Sequence, residues 1–198
     1  MDKIPILLLA AGQSRRMGGA DKLMQDIDGE PLLRRTARIA QAAGPVIAAL
    51  PPAPHPRHAA LTGLDLEIVE VPDAAEGMNA SLRRAVAALP RDAAAAMVLL
   101  ADLPDLTATD LSCVLGAVDF STKNLVWRGA TEDGRPGHPV VFHKALFPEL
   151  LKLAGDAGAQ SVVQAYRDRL ELVPLPGQNA RTDLDTPEAW AEWRAQKQ

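Results

Sequence analysis

The segment Leu9-Ala10-Ala11-Gly12-Gln13-Ser14-Arg15-Arg16-Met17-Gly18-Gly19-Ala20-Asp21-Lys22 combines small residues with three cations, directly after an apolar run. Glycine-rich backbone lets several N–H groups approach an oxyanion, and Arg15, Arg16 and Lys22 carry the charge to hold one, so the chemistry expected here is triphosphate binding. The segment is not a P-loop, because Lys22 is followed by Leu23 and no hydroxyl is available there for magnesium. Nor is it a dinucleotide fingerprint, since Gly12-Gln13-Ser14 breaks the Gly-x-Gly spacing.

Other segments carry complementary groups. In Leu99-Leu100-Ala101-Asp102-Leu103-Pro104 an apolar strand delivers one carboxylate just before a proline. Mg²⁺ takes oxygen ligands, keeps several waters and bridges substrate phosphates, so Asp102 is the leading candidate for a metal ligand. Asp183 and Asp185 fall on one side of an extended segment by their period-two spacing, and Thr186 is placed to cap a helix with Pro187 at its first position. In Gly77-Met78-Asn79-Ala80-Ser81-Leu82 a helix begins; Asn79 is expected to cap it, and the N–H groups with Asn79 and Ser81 suit a base edge, a ribose or a phosphate.

The elements that must position these groups alternate between short apolar runs and helical patterns, which predicts an α/β protein with a largely parallel sheet. Strands are expected at Ile4 to Ala10, Val46 to Leu50, Leu66 to Val71, Met97 to Ala101, Leu125 to Arg128, Pro139 to Phe142 and Leu170 to Val173. Helical spacing covers Pro31 to Ala43, the stretch from Asn79, Thr107 to Ala117, Lys144 to Leu153, Ala159 to Arg169 and the chain from Thr186 onward. Thr131 to Gly137 reads as a turn, and the proline-rich Pro51 to Pro56 as a peripheral loop. No repeat, linker or low-complexity tail interrupts the 198 residues, so one domain over 1–198 is expected.

A formal net charge of -4 argues against a nucleic-acid or acidic-membrane binder, so any anionic ligand has to be met by local positive charge. The single cysteine, Cys113, has no partner for a disulfide or a cysteine-based zinc site and is read as a buried structural thiol. The apolar run near the start is too short to span a membrane and lacks a cleavage pattern, so a cytoplasmic protein is expected.

The run from Leu9 through Lys22 resembles the signature of the GT-A-like, Rossmann-related nucleotidyltransferases. Within them it is most similar to the molybdopterin nucleotidyltransferase family, its cytidylyltransferase branch above all. The segments around Gly77, Asp102 and Asp185 and the run Gly137-His138-Pro139-Val140 resemble further motifs of that family, in the same order. The resemblance implies a Rossmann-like, GT-A-type three-layer sandwich with a mostly parallel central sheet. It implies nucleotide contacts from Leu9, Ala10, Ala11, Gly12, Ser14, Arg15, Lys22, Gly77, Asn79 and Ser81. It puts Mg²⁺ on Asp102 and on Asp185 or Asp183, and the acceptor beside Gly137, His138 and Pro139. Arg135 is a further candidate for facing anionic substrate, and Gly155-Asp156-Ala157-Gly158-Ala159 resembles a segment that shapes the acceptor pocket.

The reaction implied is transfer of CMP from CTP to molybdopterin, with or without molybdenum, with release of pyrophosphate. The acceptor phosphate is already an anion, so the work falls on positioning and charge neutralisation, by Arg15, Lys22 and Asp102 in particular. Ala11 resembles the CTP-using branch, whereas Gly18-Gly19 is also common in the GTP-using one, which keeps GTP as the alternative. Another small phosphorylated acceptor and a non-catalytic cofactor carrier are the remaining readings. The partners implied are the small-molecule substrates and a molybdoenzyme or its chaperone, without nucleic acid or membrane.

Overall fold

In the computed structural model, which describes residues 3–155 and 158–197, nine strands and seven α-helices are seen among the described residues. The strands are β1 Ile6–Leu9, β2 Asp26–Ile27, β3 Glu30–Pro31, β4 Val46–Leu50, β5 Glu67–Glu70, β6 Ala95–Leu100, β7 Val126–Ala130, β8 Pro136–His143 and β9 Leu170–Pro174. The helices are α1 Leu32–Ala43, α2 Pro56–Ala60, α3 Met78–Ala87, α4 Ala108–Gly116, α5 Phe147–Leu150, α6 Gln160–Ala165 and α7 Pro187–Gln196.

The continuous apolar character of β1 has the meaning expected of a central parallel strand, with all four of its residues buried. It pairs in parallel with β4 on one side and β6 on the other, Ile6 standing opposite both Val46 and Met97. Side chains alternate across the sheet. Ile6, Leu8 and Ala10 join a core with Leu33 and Ala37 of α1, Leu111 of α4 and Trp190 of α7. Leu7, Leu9 and Ala11 join a second core with Leu82 and Val86 of α3 and Val162 of α6. Two cores on opposite faces of one sheet make the three-layer sandwich.

The sheet order is β5-β4-β1-β6-β8-β7-β9, mostly parallel, with β8 antiparallel to both of its neighbours. After β1 the chain moves outward through β4 and β5, and it then returns to the other side of β1 as β6. Such a reversal opens a crevice at the carboxyl ends of β1 and β6, where ligands bind in open α/β sheets.

Several expectations need correction. The helix after Gly77 is capped by Gly77 itself; Asn79 is buried inside its first turn and donates its amide to the Ala154 carbonyl at 2.7 Å. The proline-rich stretch is not peripheral, because Pro56 opens α2, capped by His55, and sends Arg57 inward. Cys113 is exposed, on the outer side of a helix whose Leu111 and Val114 face the core. The turn expected over Thr131 to Gly137 gives way to strand from Pro136, and the helices expected after Lys144 and Ala159 are broken into short helices and 3-10 turns. A two-stranded ribbon, β2 with β3, lies in a stretch for which no strand was expected.

Candidate active site

Beyond β1, Ala10 and Ala11 stay buried while the chain turns through Ser14 at φ 51 and through Gly18 and Gly19 at φ 60 and 97. The last two lie in the left-handed region that glycine enters without steric cost. Arg15–Met17 forms one 3-10 turn between them, anchored by the buried Met17. Asp21 ties the loop closed: it accepts from the Leu23 N–H at 3.0 Å and from the Ser14 hydroxyl at 3.3 Å. Behind the loop, Arg57 is 2 % exposed and forks onto Asp21, through Nε at 2.8 Å and Nη2 at 2.7 Å, while Nη1 reaches the Ala10 carbonyl at 2.6 Å. Burial works against ionisation of Asp21, but the Arg57 hydrogen bond and charge outweigh it and hold this carboxyl below its ordinary value. The cation-bearing loop is thus held in shape by a bidentate, charge-assisted pair.

Lys22 points from this loop into a cluster of carboxylates. Its Nζ donates to Asp102 Oδ2 at 2.5 Å and to Asp185 Oδ1, and Arg16 donates to the other oxygen of Asp185. The late segment is fastened to the end of β6 by the Leu184 N–H on the Asp102 carbonyl, 3.3 Å. Burial opposes the charged form of both Lys22 and Asp185; the charge and hydrogen bond of Asp102, and then those of Asp185, outweigh it at Lys22 and raise it, while the Lys22 hydrogen bond and charge, with that of Arg16, outweigh it at Asp185 and lower it. Asp183 is pushed up by partial burial and then by the charges of Asp185 and Asp102.

Asp102 Oδ1 is screened from solvent and has no hydrogen-bond partner. Asp102 and Asp185 thus pair with Lys22 and Arg16, Asp183 stands beside them, and one buried oxygen of Asp102 is left open. This donor set fits a divalent cation. Among the described residues no group of three or more His, Cys, Asp or Glu forms a ready cage.

These groups border a cavity of about 510 Å³ at the crevice between β1 and β6. Leu9, Ala10, Ala11, Gly12, Ser14, Arg15 and Lys22 line it together with Gly77, Ser81, Asp102 and Asp185. Asn79 and Asp183 are not among its walls, and neither are Gly137, His138 and Pro139. His138, on β8, is within electrostatic reach of Asp102. It is half-buried, and its Nδ1 is shut from solvent without a partner. Burial and the nearby Arg128 charge lower it to about 4, against the pull of Asp102 and of the Val98 backbone, so the imidazole is neutral near pH 7. Gly137 is there because of a close approach: a Cβ would meet the Ala180 carbonyl oxygen at 2.1 Å.

The sequence profile of the MobA-like NTP transferase domain matches residues 6–170. The chain belongs to this family of nucleotidyltransferases. Its structure is similar to Rv0371c from Mycobacterium tuberculosis H37Rv, with 27% identity, a TM-score of 0.83 and 97% of each chain covered. A manganese complex of that protein is similar at 26% identity and TM-score 0.79, covering 96% of this chain and 97% of the other. Among curated proteins, the 2-C-methyl-D-erythritol 4-phosphate cytidylyltransferase of Dehalococcoides mccartyi is 45% identical over 40 residues, which is 20% of this chain and only 18% of that relative.

In this MobA-like chain the residue that motif reading missed is Arg57, whose only sequence signal is a position after a proline cluster. Arg16 was visible as a loop cation but not as the partner of Asp185. Arg135 stands exposed and is satisfied by Asp133 and Gln178. Of the segment Gly155 to Ala159, Asp156 and Ala157 lie outside the described residues. Among the described residues no helix is long and apolar enough to cross a membrane.

Proposed function

We propose that the chain transfers CMP from CTP to molybdopterin, with release of pyrophosphate and with Mg²⁺ as its metal. The observation that carries this reading is the convergence of Lys22, Asp102 and Asp185, separated in sequence by 80 and 163 residues, at one cavity walled by the Leu9–Lys22 loop. Asp102 and Asp185, with Asp183 beside them, would hold the metal. Bound there, Mg²⁺ would supply charge neutralisation to the α- and β-phosphates.

The chain's own groups do the rest. Backbone N–H groups of the loop and Arg15 receive the triphosphate, and Lys22 stands where it meets the phosphate oxygens that become pyrophosphate. Ala11, Gly77 and Ser81 wall the same cavity, and base and sugar would lie against them. The acceptor phosphate attacks the α-phosphorus in line, and no proton needs to be taken from it. A neutral His138 on the β8 side is consistent with a positioning role there rather than with base catalysis.

A second reading keeps CTP but takes a phosphorylated polyol as acceptor, and the short stretch of similarity to the methylerythritol phosphate enzyme favours it. Both are tested by incubating the protein with Mg²⁺, either molybdenum-loaded molybdopterin or methylerythritol phosphate, and CTP, GTP or ATP in turn, following pyrophosphate and the nucleotide attached to the acceptor. Turnover with CTP alone is expected. Turnover with GTP alone would move the assignment to guanylyl transfer, and pyrophosphate release only with methylerythritol phosphate would overturn the pterin.

A further inference from the structure

On the β8 side of the site two arginines, Arg128 and Arg181, pair with no carboxylate among the described residues. Arg128, in the middle of β7, is half-buried; its Nε donates to the Gly137 carbonyl at 2.8 Å, and among the described residues its terminal nitrogens meet no acceptor. Arg181 donates to the Pro136 carbonyl at 3.0 Å and is likewise without a carboxylate. The two guanidiniums are therefore hung on successive carbonyls of one strand. After burial, the charge of Arg181 is what depresses Arg128 from its ordinary value. Holding like charges together in a partly desolvated place is unfavourable unless an anion joins them.

The backbone enforces this arrangement. A Cβ at Gly137 would meet the Ala180 carbonyl oxygen at 2.1 Å, and one at Gly129 would meet the His138 carbonyl oxygen at 2.6 Å. The His138 N–H also donates to the Ala180 carbonyl at 2.8 Å. β7, β8 and the 178–182 strap are thus pressed together, and both arginines are fixed with them. In the sheet order, β6, which delivers Asp102, stands between β1, which delivers the cationic loop, and β8 with β7. β8 runs antiparallel to β6, so its start lies at the same end of the sheet as Asp102.

We propose that Arg128 and Arg181 form a second anion subsite, which holds the attacking phosphomonoester of the acceptor across β6 from the triphosphate loop. This rests on the nucleotidyl-transfer reading and adds the means of holding the acceptor. In-line displacement needs the entering and leaving oxygens on opposite sides of the α-phosphorus. Two cationic centres separated by the strand that carries Asp102 provide that. An oxygen of the acceptor phosphate forms the new bond to the α-phosphorus, the bond from that phosphorus to the α,β-bridging oxygen breaks, and pyrophosphate leaves with the electron pair. The phosphate attacks as an anion, so no further reactant is needed.

The test is site-resolved. With Mg²⁺ and pyrophosphate present to fill the loop, inorganic phosphate is titrated while the Arg128 Nε–H and His138 Cε1–H resonances are followed. Both should shift, and the affinity should fall about tenfold or more in the exposed-site variant Arg181→Met, as expected for loss of a charge-assisted contact. Arg128→Lys should retain part of it, and Arg15→Met should leave it unchanged. Silent resonances, or an affinity that falls only with Arg15→Met, would overturn the subsite. If phosphate binds at Arg128 but no NTP turns over with any phosphorylated acceptor, the reaction is wrong and the subsite stands. If turnover occurs with an unchanged acceptor KM in Arg181→Met, the reaction stands and the subsite falls.

Discussion

His138 carries a pH dependence that can be worked out in sign. Its folded value is about 4 against an ordinary 6.5, so on acidification the unfolded chain takes this proton well before the folded one. The stability linked to the neutral imidazole is complete above the unfolded value and is lost as pH falls from about 6.5 toward 4, by at most about 3 kcal/mol. His138→Gln should therefore flatten the fall in urea midpoint over that window relative to the parent. Parallel curves would show that the imidazole already charges in the fold. At this scale the sequence was most legible where a strand end or a loop isolates one group. Asp102 and Lys22 could be named because each follows an apolar run or a small-residue stretch, whereas the inward turn of Asn79 depends on the Ala154 carbonyl, 75 residues away.

The element that shapes the loop is α2, and it acts through one side chain. Arg57→Met leaves Asp21 without its fork, and about 3 kcal/mol of destabilisation is expected, as for breaking a buried pair. Amide exchange at Ser14 to Lys22 should accelerate well beyond that of β4 in the same variant. Unchanged protection there would mean that the loop holds its form without Arg57. At the other side of the site, Gly137→Ala drives a methyl into the Ala180 carbonyl. It should cost about 1–3 kcal/mol, as overpacking does, and loosen the 178–185 segment that brings Asp185 to Lys22. A melting temperature equal to the parent's would contradict this close approach. Neither effect was readable from pattern alone. Periodicity found the helices that bury a stripe, such as α1, but α2 has only five residues, too few for a period, and the need for glycine at 137 arises from a strand-to-strap contact.

For the molecule as a whole, the alternation of apolar runs and helices identified the α/β class, because parallel strands buried on both faces read as continuous apolar segments. The side-by-side order of the strands was not written in any local pattern. It follows from which faces the crossovers cover, and it is this order that opens the crevice between β1 and β6 and brings a loop near the start of the chain against a carboxylate near its end. The central claim, that this crevice is a metal-dependent NTP site, is tested most directly by calorimetric titration of CTP with and without Mg²⁺, in the parent and in Asp102→Asn. Binding that requires Mg²⁺ and weakens about 100-fold, by about 2.7 kcal/mol, in Asp102→Asn is predicted. CTP binding of equal strength without the metal, or undiminished in Asp102→Asn, would contradict the account.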